Sequence, residues 1–216
     1  MRHLHSVRRF SAYLGVLAAI VFLAAPAQVA AGLTSPASPA QTLAKPDPAK
    51  PVPSAQAAPA PAAQGAQWKS YSYAADGFST TFPSQPSMQK QNVATGAGTF
   101  ELHAYMAADG QVALYVGVCD YGSAASGQDP QPILDGAKNG AVSNANAHIL
   151  SSSKITLGVY PGVAFEAESD TLHFSARMYL VGTILYQVLT ASPLGQPYDG
   201  TPKFLDSFQL IPRTTT

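Results

Sequence analysis

Residues 162–191, GVAFEAESDTLHFSARMYLVGTILYQVLTA, decide the fold of this chain. Apolar and polar residues alternate along this stretch, and a period of two is typical of half-buried β-strands. The pattern predicts strands over 162–169, 172–181 and 184–191, with a hairpin around Asp170 joining the first two. The residues predicted to face the core are Val163, Phe165, Ala167, Leu172, Phe174, Ala176 and Met178.

The rest of the folded part follows the same pattern. Asp76-Gly77 and Asp109-Gly110 are turn dipeptides, and they predict hairpins that join 68–74 to 78–82 and 99–106 to 111–118. A further strand is predicted over 149–157. Helical spacing predicts one helix over 130–147, beginning at Asp129-Pro130, and a short one over 200–208. The order predicts an α+β domain with a central antiparallel β-sheet flanked by helices.

The first 67 residues predict export rather than a fold. Arg2, Arg8 and Arg9 precede an uncharged apolar run over 13–25, and small residues follow at 29–31. This order is typical of a cleaved secretory signal peptide over 1–31, with an uncleaved membrane anchor as the alternative. Residues 32–67 are rich in Ala and Pro and predict a disordered linker. The folded domain is predicted over 68–212, with a tail over 213–216.

Charge and cysteine content narrow the classes of partner. The chain has 12 basic and 12 acidic residues, and without Arg2, Arg8 and Arg9 the exported part is near −3. Nucleic acid and anionic lipid both require a basic surface, so a mildly acidic, sparsely charged one predicts neither as a partner. The single cysteine, Cys119, ends an apolar strand pattern, so we expect it to be buried and inert.

Five short segments together resemble the PsbP-like superfamily, in particular its exported bacterial members. They are DGFSTTFP at 76–83, GVYPGVAFE at 158–166, RMYLVG at 177–182, LYQ at 185–187 and FLDSF at 204–208. The resemblance spans 68–212 and implies a central antiparallel sheet with helices on its faces. Better-known members act by binding, one supporting the photosynthetic oxygen-evolving complex and another binding a small GTPase. The resemblance thus implies a non-catalytic accessory role, but it maps no functional residue onto this chain.

One polar sheet face is the best candidate for chemistry. Alternation places Glu101 and His103 on the face opposite the apolar residues of their strand. In the hairpin around Asp170, the polar residues likewise lie on the face opposite the apolar ones. If the two regions were adjacent, Glu101, His103, Glu166, Glu168 and His173 could bind a divalent metal or perform acid–base work. The simpler interpretation is that these are solvent-facing pairs on a sheet. A metal site requires all five side chains to converge within about 4 to 5 Å.

The same face predicts a contact surface. Tyr105 shares a face with His103, and Tyr179 shares one with Arg177, and rings with a polar tip suit binding surfaces. They suit a half-covered sheet equally well. Tyr105, Arg177 and Tyr179 are therefore the candidate binding residues.

Motifs for catalysis are otherwise weak. Ser151 and Lys154 match a Ser-x-x-Lys pattern, but the pattern enters a strand rather than opening a helix. No phosphate loop or dinucleotide fingerprint is present, and no cofactor is predicted. We expect an exported, periplasmic or secreted, non-enzymatic module that binds an envelope protein. The alternative is a small-ligand or metal-binding domain, with or without hydrolytic activity. A third interpretation is a secreted structural protein.

Overall fold

A computed structural model describes residues 67–95 and 98–214, which form two antiparallel sheets and two α-helices. The small sheet has the strand order β1-β2-β10 and the large sheet has the order β3-β4-β5-β9-β8-β7-β6. Every pairing is antiparallel, which confirms the predicted α+β class. The strands are β1 Lys69–Tyr73, β2 Phe78–Phe82, β3 Ser87–Thr95, β4 Gly98–Asp109, β5 Val112–Asp120, β6 His148–Leu157, β7 Tyr160–Glu168, β8 Leu172–Val181, β9 Ile184–Pro193 and β10 Gln209–Leu210. The helices are α1 Pro130–Asn144 and α2 Gly200–Asp206, and a 3-10 turn spans Gly122–Ala124.

Helix α1 begins where its sequence predicts. The Asp129 side chain accepts a hydrogen bond from the backbone N–H of Gln131 and thereby caps the first turn. The helix buries Leu134, Ala137 and Ala141 against one face of the large sheet. It ends at Asn144, earlier than predicted, because Asn146 adopts a left-handed conformation (φ 48°) that breaks the helix.

The edge strand β3 was not predicted. Its sequence, SMQKQNVAT, has no apolar alternation, and only Val93 of the strand is buried. It forms through its ladder with β4, in which Ser87 pairs with Met106 and Thr95 with Gly98. A strand exposed on both faces gives little signal in hydrophobic periodicity.

Both faces of the large sheet are covered, which corrects the expectation of one open polar face. Helix α1 covers the face that carries Leu102, Phe165 and Leu189. The small sheet and α2 cover the centre of the opposite face with aromatic side chains, among them Phe78, Phe82, Phe204 and Phe208. Polar residues of that second face therefore reach solvent only around the edge of this cover.

Strands β7 and β8 approach each other closely at one glycine. Gly162 of β7 lies opposite Tyr179 of β8, whose ring covers it. A Cβ at position 162 would lie 2.5 Å from the carbonyl oxygen of Met178, so no larger residue fits without a backbone shift. Pro161 and Gly162 both lie inside β7, which begins at Tyr160.

The predicted signal peptide over 1–31 and the linker over 32–67 lie outside the described residues, apart from Gln67. At the other end, Thr214 of the predicted tail donates its backbone N–H to the carbonyl of Ala74 at 3.0 Å. Within 67–95 and 98–214 there is no helix with the length and apolar character that crossing a membrane requires.

Candidate functional site

A buried carboxylate organises the first polar group, which we name the Asp76 cluster (Asp76, Glu101, His103 and Tyr105). His103 Nδ1 lies 2.8 Å from each carboxylate oxygen of Asp76. His103 Nε2 lies 2.6 Å from Glu101 Oε1, and the hydroxyl of Tyr105 donates to Asp76 Oδ2. The imidazole therefore bridges a buried acid and an exposed one.

The turn between β1 and β2 places Asp76 against the large sheet. Gly77 has φ +75°, a conformation that favours glycine, and the Tyr186 hydroxyl donates to the carbonyl of Asp76 at 2.7 Å. Arg213 Nε donates to the carbonyl of Ala75 at 3.1 Å and closes the turn from the C-terminal side. These contacts hold the Asp76 carboxylate in place, where its side chain is 4% exposed.

Burial and charge shift the pKa values within the Asp76 cluster in opposite directions. Burial raises the pKa of Tyr105, and the hydrogen bond to Asp76 raises it further. The hydrogen bond from His103 lowers the pKa of Glu101, and Lys90, whose Nζ lies 3.0 Å from Glu101 Oε1, also lowers it. Tyr105 is therefore held as a neutral donor, and Glu101 as an anion.

A second group, the Glu166 cluster (Glu166, Glu168, His173 and Ser175), lies on neighbouring strands. The β7–β8 register pairs Glu168 with His173 and Glu166 with Ser175. His173 Nδ1 lies 3.1 Å from Glu168 Oε1, and its Nε2 lies 2.9 Å from Glu166 Oε2. Ser175 Oγ donates to the same Glu166 oxygen at 2.6 Å. The histidine again lies between two carboxylates, but the Glu166 side chain is 41% exposed.

The five predicted metal ligands do not converge, which corrects that expectation. Glu101 and His103 lie on β4, whereas His173 lies on β8, and β5 and β9 separate these strands. Three strand spacings amount to about 14 Å, well beyond the reach of a shared ion. Within each cluster the two carboxylates occupy opposite edges of the imidazole. The described residues contain no group of three or more His, Cys, Asp or Glu that could hold a metal ion.

The predicted contact surface is also rearranged. Tyr105 and Tyr179 are each 4% exposed, so their rings belong to the core beneath the small sheet and α2. Arg177 reaches the edge of this cover, where its Nη2 donates to Asp206 Oδ1 of α2 at 2.6 Å. The three residues therefore do not form an exposed patch, because the small sheet and α2 cover the face that strand alternation had left open.

Strand β6 is one of the two edge strands of the large sheet, and β3 is the other. Strand β6 pairs only with β7 in the described part of the chain, so one side of its backbone faces solvent. Ser151, Ser152 and Ser153 are exposed along it, and Leu150 is 49% exposed at an irregularity in the register. An edge strand of this kind presents unpaired N–H and C=O groups, which can pair with another strand.

A polar cleft separates β6 from α1. Its volume is about 280 Å³, and it is lined by Gln131, Asp135, Lys138, Ser152, Ser153, Lys154 and Val163. Lys138 Nζ lies 3.3 Å from both Asp135 Oδ1 and Ser152 Oγ, and its side chain is only 13% exposed. The hydrogen bond from Gln131 lowers the pKa of Asp135, burial opposes this shift, and the charges of Lys138 and Lys154 lower the pKa further.

Cys119 lies in β5 with its side chain in the core under α1, as predicted. Burial raises the pKa of its thiol to about 11. A protonated buried thiol is a poor nucleophile, so Cys119 contributes packing.

Comparison with known proteins finds a similarity of structure and none of sequence. No protein-family model matches the chain, and no curated protein matches it either. The chain is similar to the solution structure of cyanobacterial PsbP (CyanoP) from Synechocystis sp. PCC 6803, with 14% sequence identity and a TM-score of 0.45. The match covers 71% of this chain and 98% of that chain. This similarity concerns the fold, and membership of the PsbP-like superfamily stays a prediction.

Sequence reasoning missed the residue at the centre of the Asp76 cluster. Asp76 was interpreted as a turn former, which it is, but its side chain also binds His103 across 27 positions of sequence. It also missed Asp206 as the partner of Arg177, and the meeting of Lys138 with Ser152. No local sequence pattern predicts such pairs, because they depend on how elements distant in sequence pack together.

Proposed function

We propose that residues 68–212 form an exported, non-enzymatic module that binds a protein partner in the cell envelope, and that the partner binds along β6. The exposed, unpaired edge of β6 is the observation that carries this proposal. Addition of a partner strand to such an edge supplies main-chain hydrogen bonds without any reaction centre. The pattern of basic, apolar and small residues over 1–31 supports export to the periplasm or the medium.

The histidines of the two clusters, His103 and His173, support binding rather than catalysis. A general base must present a free ring nitrogen within hydrogen-bond reach of the substrate. In His103 and His173 both ring nitrogens already lie within 3.1 Å of a carboxylate oxygen. Substrate would have to displace a charged partner before either ring could act.

Site-specific photocrosslinking in the native cells tests the proposal. A photoreactive benzoylphenylalanine would replace Ser153 on β6 or, as the matched control, Gln89 on the opposite edge strand β3. Both positions are exposed, so the comparison separates a specific edge from general contact. We expect one envelope protein, identified by mass spectrometry, to crosslink from position 153 and not from position 89.

Two results would contradict this expectation. Absence of any crosslinked protein from both positions would overturn the binding function, and crosslinks from position 89 alone would overturn the assignment to β6. The variants His103→Gln and His173→Gln should retain the crosslink, since neither ring lies on β6. Loss of the crosslink in either folded variant would instead bring the histidine clusters into the function.

A further inference from the structure

We propose that the partner strand carries an acidic side chain, which enters the cleft between α1 and β6 and pairs with Lys154. This inference rests on the proposed binding function and specifies the chemistry of the partner. It begins from the position of the cleft, which opens beside the unpaired edge of β6.

The register of β6 determines which of its side chains face the cleft. Ser152 pairs with Phe165 and Lys154 pairs with Val163, and both partners belong to the core under α1. Ser152 and Lys154 therefore point to the helix side of the sheet. A strand added outside β6 would place its own helix-side residues opposite them, with Cβ atoms about 5 Å apart.

The charges of the cleft are unbalanced. Lys138 lies 3.3 Å from Asp135, and the two charges compensate each other. Lys154 is exposed and forms no ion pair in the described residues, although at longer range its charge also lowers the pKa of Asp135. The cleft thus holds two lysines and one carboxylate, an excess of one positive charge, and the hydroxyl of Ser152 provides a further hydrogen-bonding group beside Lys154. A carboxylate in this position would gain a charge-assisted hydrogen bond.

Charge complementarity favours an acidic partner over a second copy of this chain. Strand β6, HILSSSKITL, contains a lysine and no acidic residue. Pairing two copies of β6 would bring two lysines together with no acidic residue from either strand, and like charges near each other across strands are destabilising. By contrast, the lysine of the other edge strand, Lys90, is already paired with Glu101 at 3.0 Å.

Peptide selection tests the inference directly. Phage-displayed random peptides of ten residues, the length of β6, would be selected on the full chain. We expect enriched peptides to share one Asp or Glu within an extended, β-prone sequence. An enriched peptide and its counterpart with the acid replaced by the amide would then be measured by fluorescence polarisation, and we expect the acid to bind about tenfold tighter.

Lysine variants then locate the contact. Lys154→Gln should abolish the difference between the acidic and amide peptides, whereas the matched control Lys90→Gln on β3 should retain it. Lys154→Glu should bind the acidic peptide more weakly still. Both lysines are exposed, so circular dichroism and thermal melting should show that all three variants remain folded.

The outcomes separate this inference from the proposed function. The inference is overturned if no peptide is enriched, if enriched peptides lack an acid, or if Lys154→Gln preserves the acid preference. If the crosslink from position 153 nevertheless persists in Lys154→Glu, the binding function stands and only the acidic recognition fails. If position 153 captures nothing in wild-type cells, the proposed function itself fails.

Discussion

The Asp76 cluster and the Glu166 cluster place the same groups on the same face of the large sheet, yet they differ in how they are assembled. Each holds an imidazole between two carboxylates, and each adds a hydroxyl that donates to one of those carboxylates. The Asp76 cluster joins two sheets, because Asp76 comes from the β1–β2 turn and His103 from β4. The Glu166 cluster joins only the neighbouring strands β7 and β8.

Exposure separates the two clusters energetically. The Asp76 side chain is 4% exposed, so its carboxylate depends on hydrogen bonds with His103 and Tyr105 in place of water. Glu166 and His173 retain substantial contact with water, which screens their attraction. The same residue types therefore connect the two sheets in the Asp76 cluster, whereas in the Glu166 cluster they form partly exposed contacts between neighbouring strands.

The largest expected effect comes from removing the buried charge. Asp76→Asn should lower the free energy of unfolding by about 2 kcal/mol, because His103 and Tyr105 lose a buried charged acceptor. The matched variant Glu166→Gln should cost less than about 0.5 kcal/mol, since water replaces its partners. Urea denaturation of the two isosteric variants provides the measurement, and equal losses would show that burial does not distinguish the clusters.

A smaller effect should appear in alkaline solution. The pKa of Tyr105 lies above its ordinary value of 10.0 in the folded state, so folding holds a proton that the unfolded chain releases. This contribution is fully present below pH 10 and is lost as pH rises above it. Tyr105→Phe should therefore cost about 1 kcal/mol at pH 7, through its hydrogen bond to Asp76, and show a shallower decline above pH 10.

The control for this prediction lies in the other cluster, which contains no tyrosine. Glu166→Gln should keep the wild-type dependence of unfolding free energy on pH above 10. Chemical denaturation at several alkaline pH values compares the slopes. An unchanged slope in Tyr105→Phe would indicate that other buried tyrosines, such as Tyr186 with its pKa raised to about 12 by burial, account for the whole alkaline loss.

The smallest expected effect is in the Glu166 cluster. His173→Gln should change the unfolding free energy by less than about 0.5 kcal/mol, because its contacts with Glu166 and Glu168 are partly exposed to water. The difference should disappear in about 1 M salt, where the screening length falls to about 3 Å. A loss that persists at high salt would mean that these pairs are more desolvated than their exposure indicates.

Much of the fold could be predicted because its signals are local. The alternation in 172–181 corresponds to β8, Leu172–Val181, and Asp129-Pro130 marks the start of α1. Two Asp-Gly dipeptides correctly indicate the hairpins β1–β2 and β4–β5. By contrast, β3 lacks buried alternation and forms only because β4 offers it an edge.

The candidate site could be predicted only in part. Strand periodicity correctly places Glu166, Glu168 and His173 together, because cross-strand neighbours follow from one hairpin. It wrongly brings Glu101 and His103 to the same place, since strand order is not encoded in periodicity. It also leaves Tyr105 and Tyr179 at a surface, because alternation does not reveal what covers a face.

The sequence by itself determined the α+β class, the antiparallel hairpins, the start of α1 and the burial of Cys119, because backbone conformation and apolar periodicity act over a few residues. Only the tertiary structure decided that β5 and β9 lie between the two histidine clusters and that Asp76 closes on His103. It also decided that β6, which carries Lys154, is an unpaired edge among the described residues. These outcomes depend on how elements distant in sequence pack together. Packing buries apolar surfaces that fit each other, and this fit depends on several segments at once rather than on any single one.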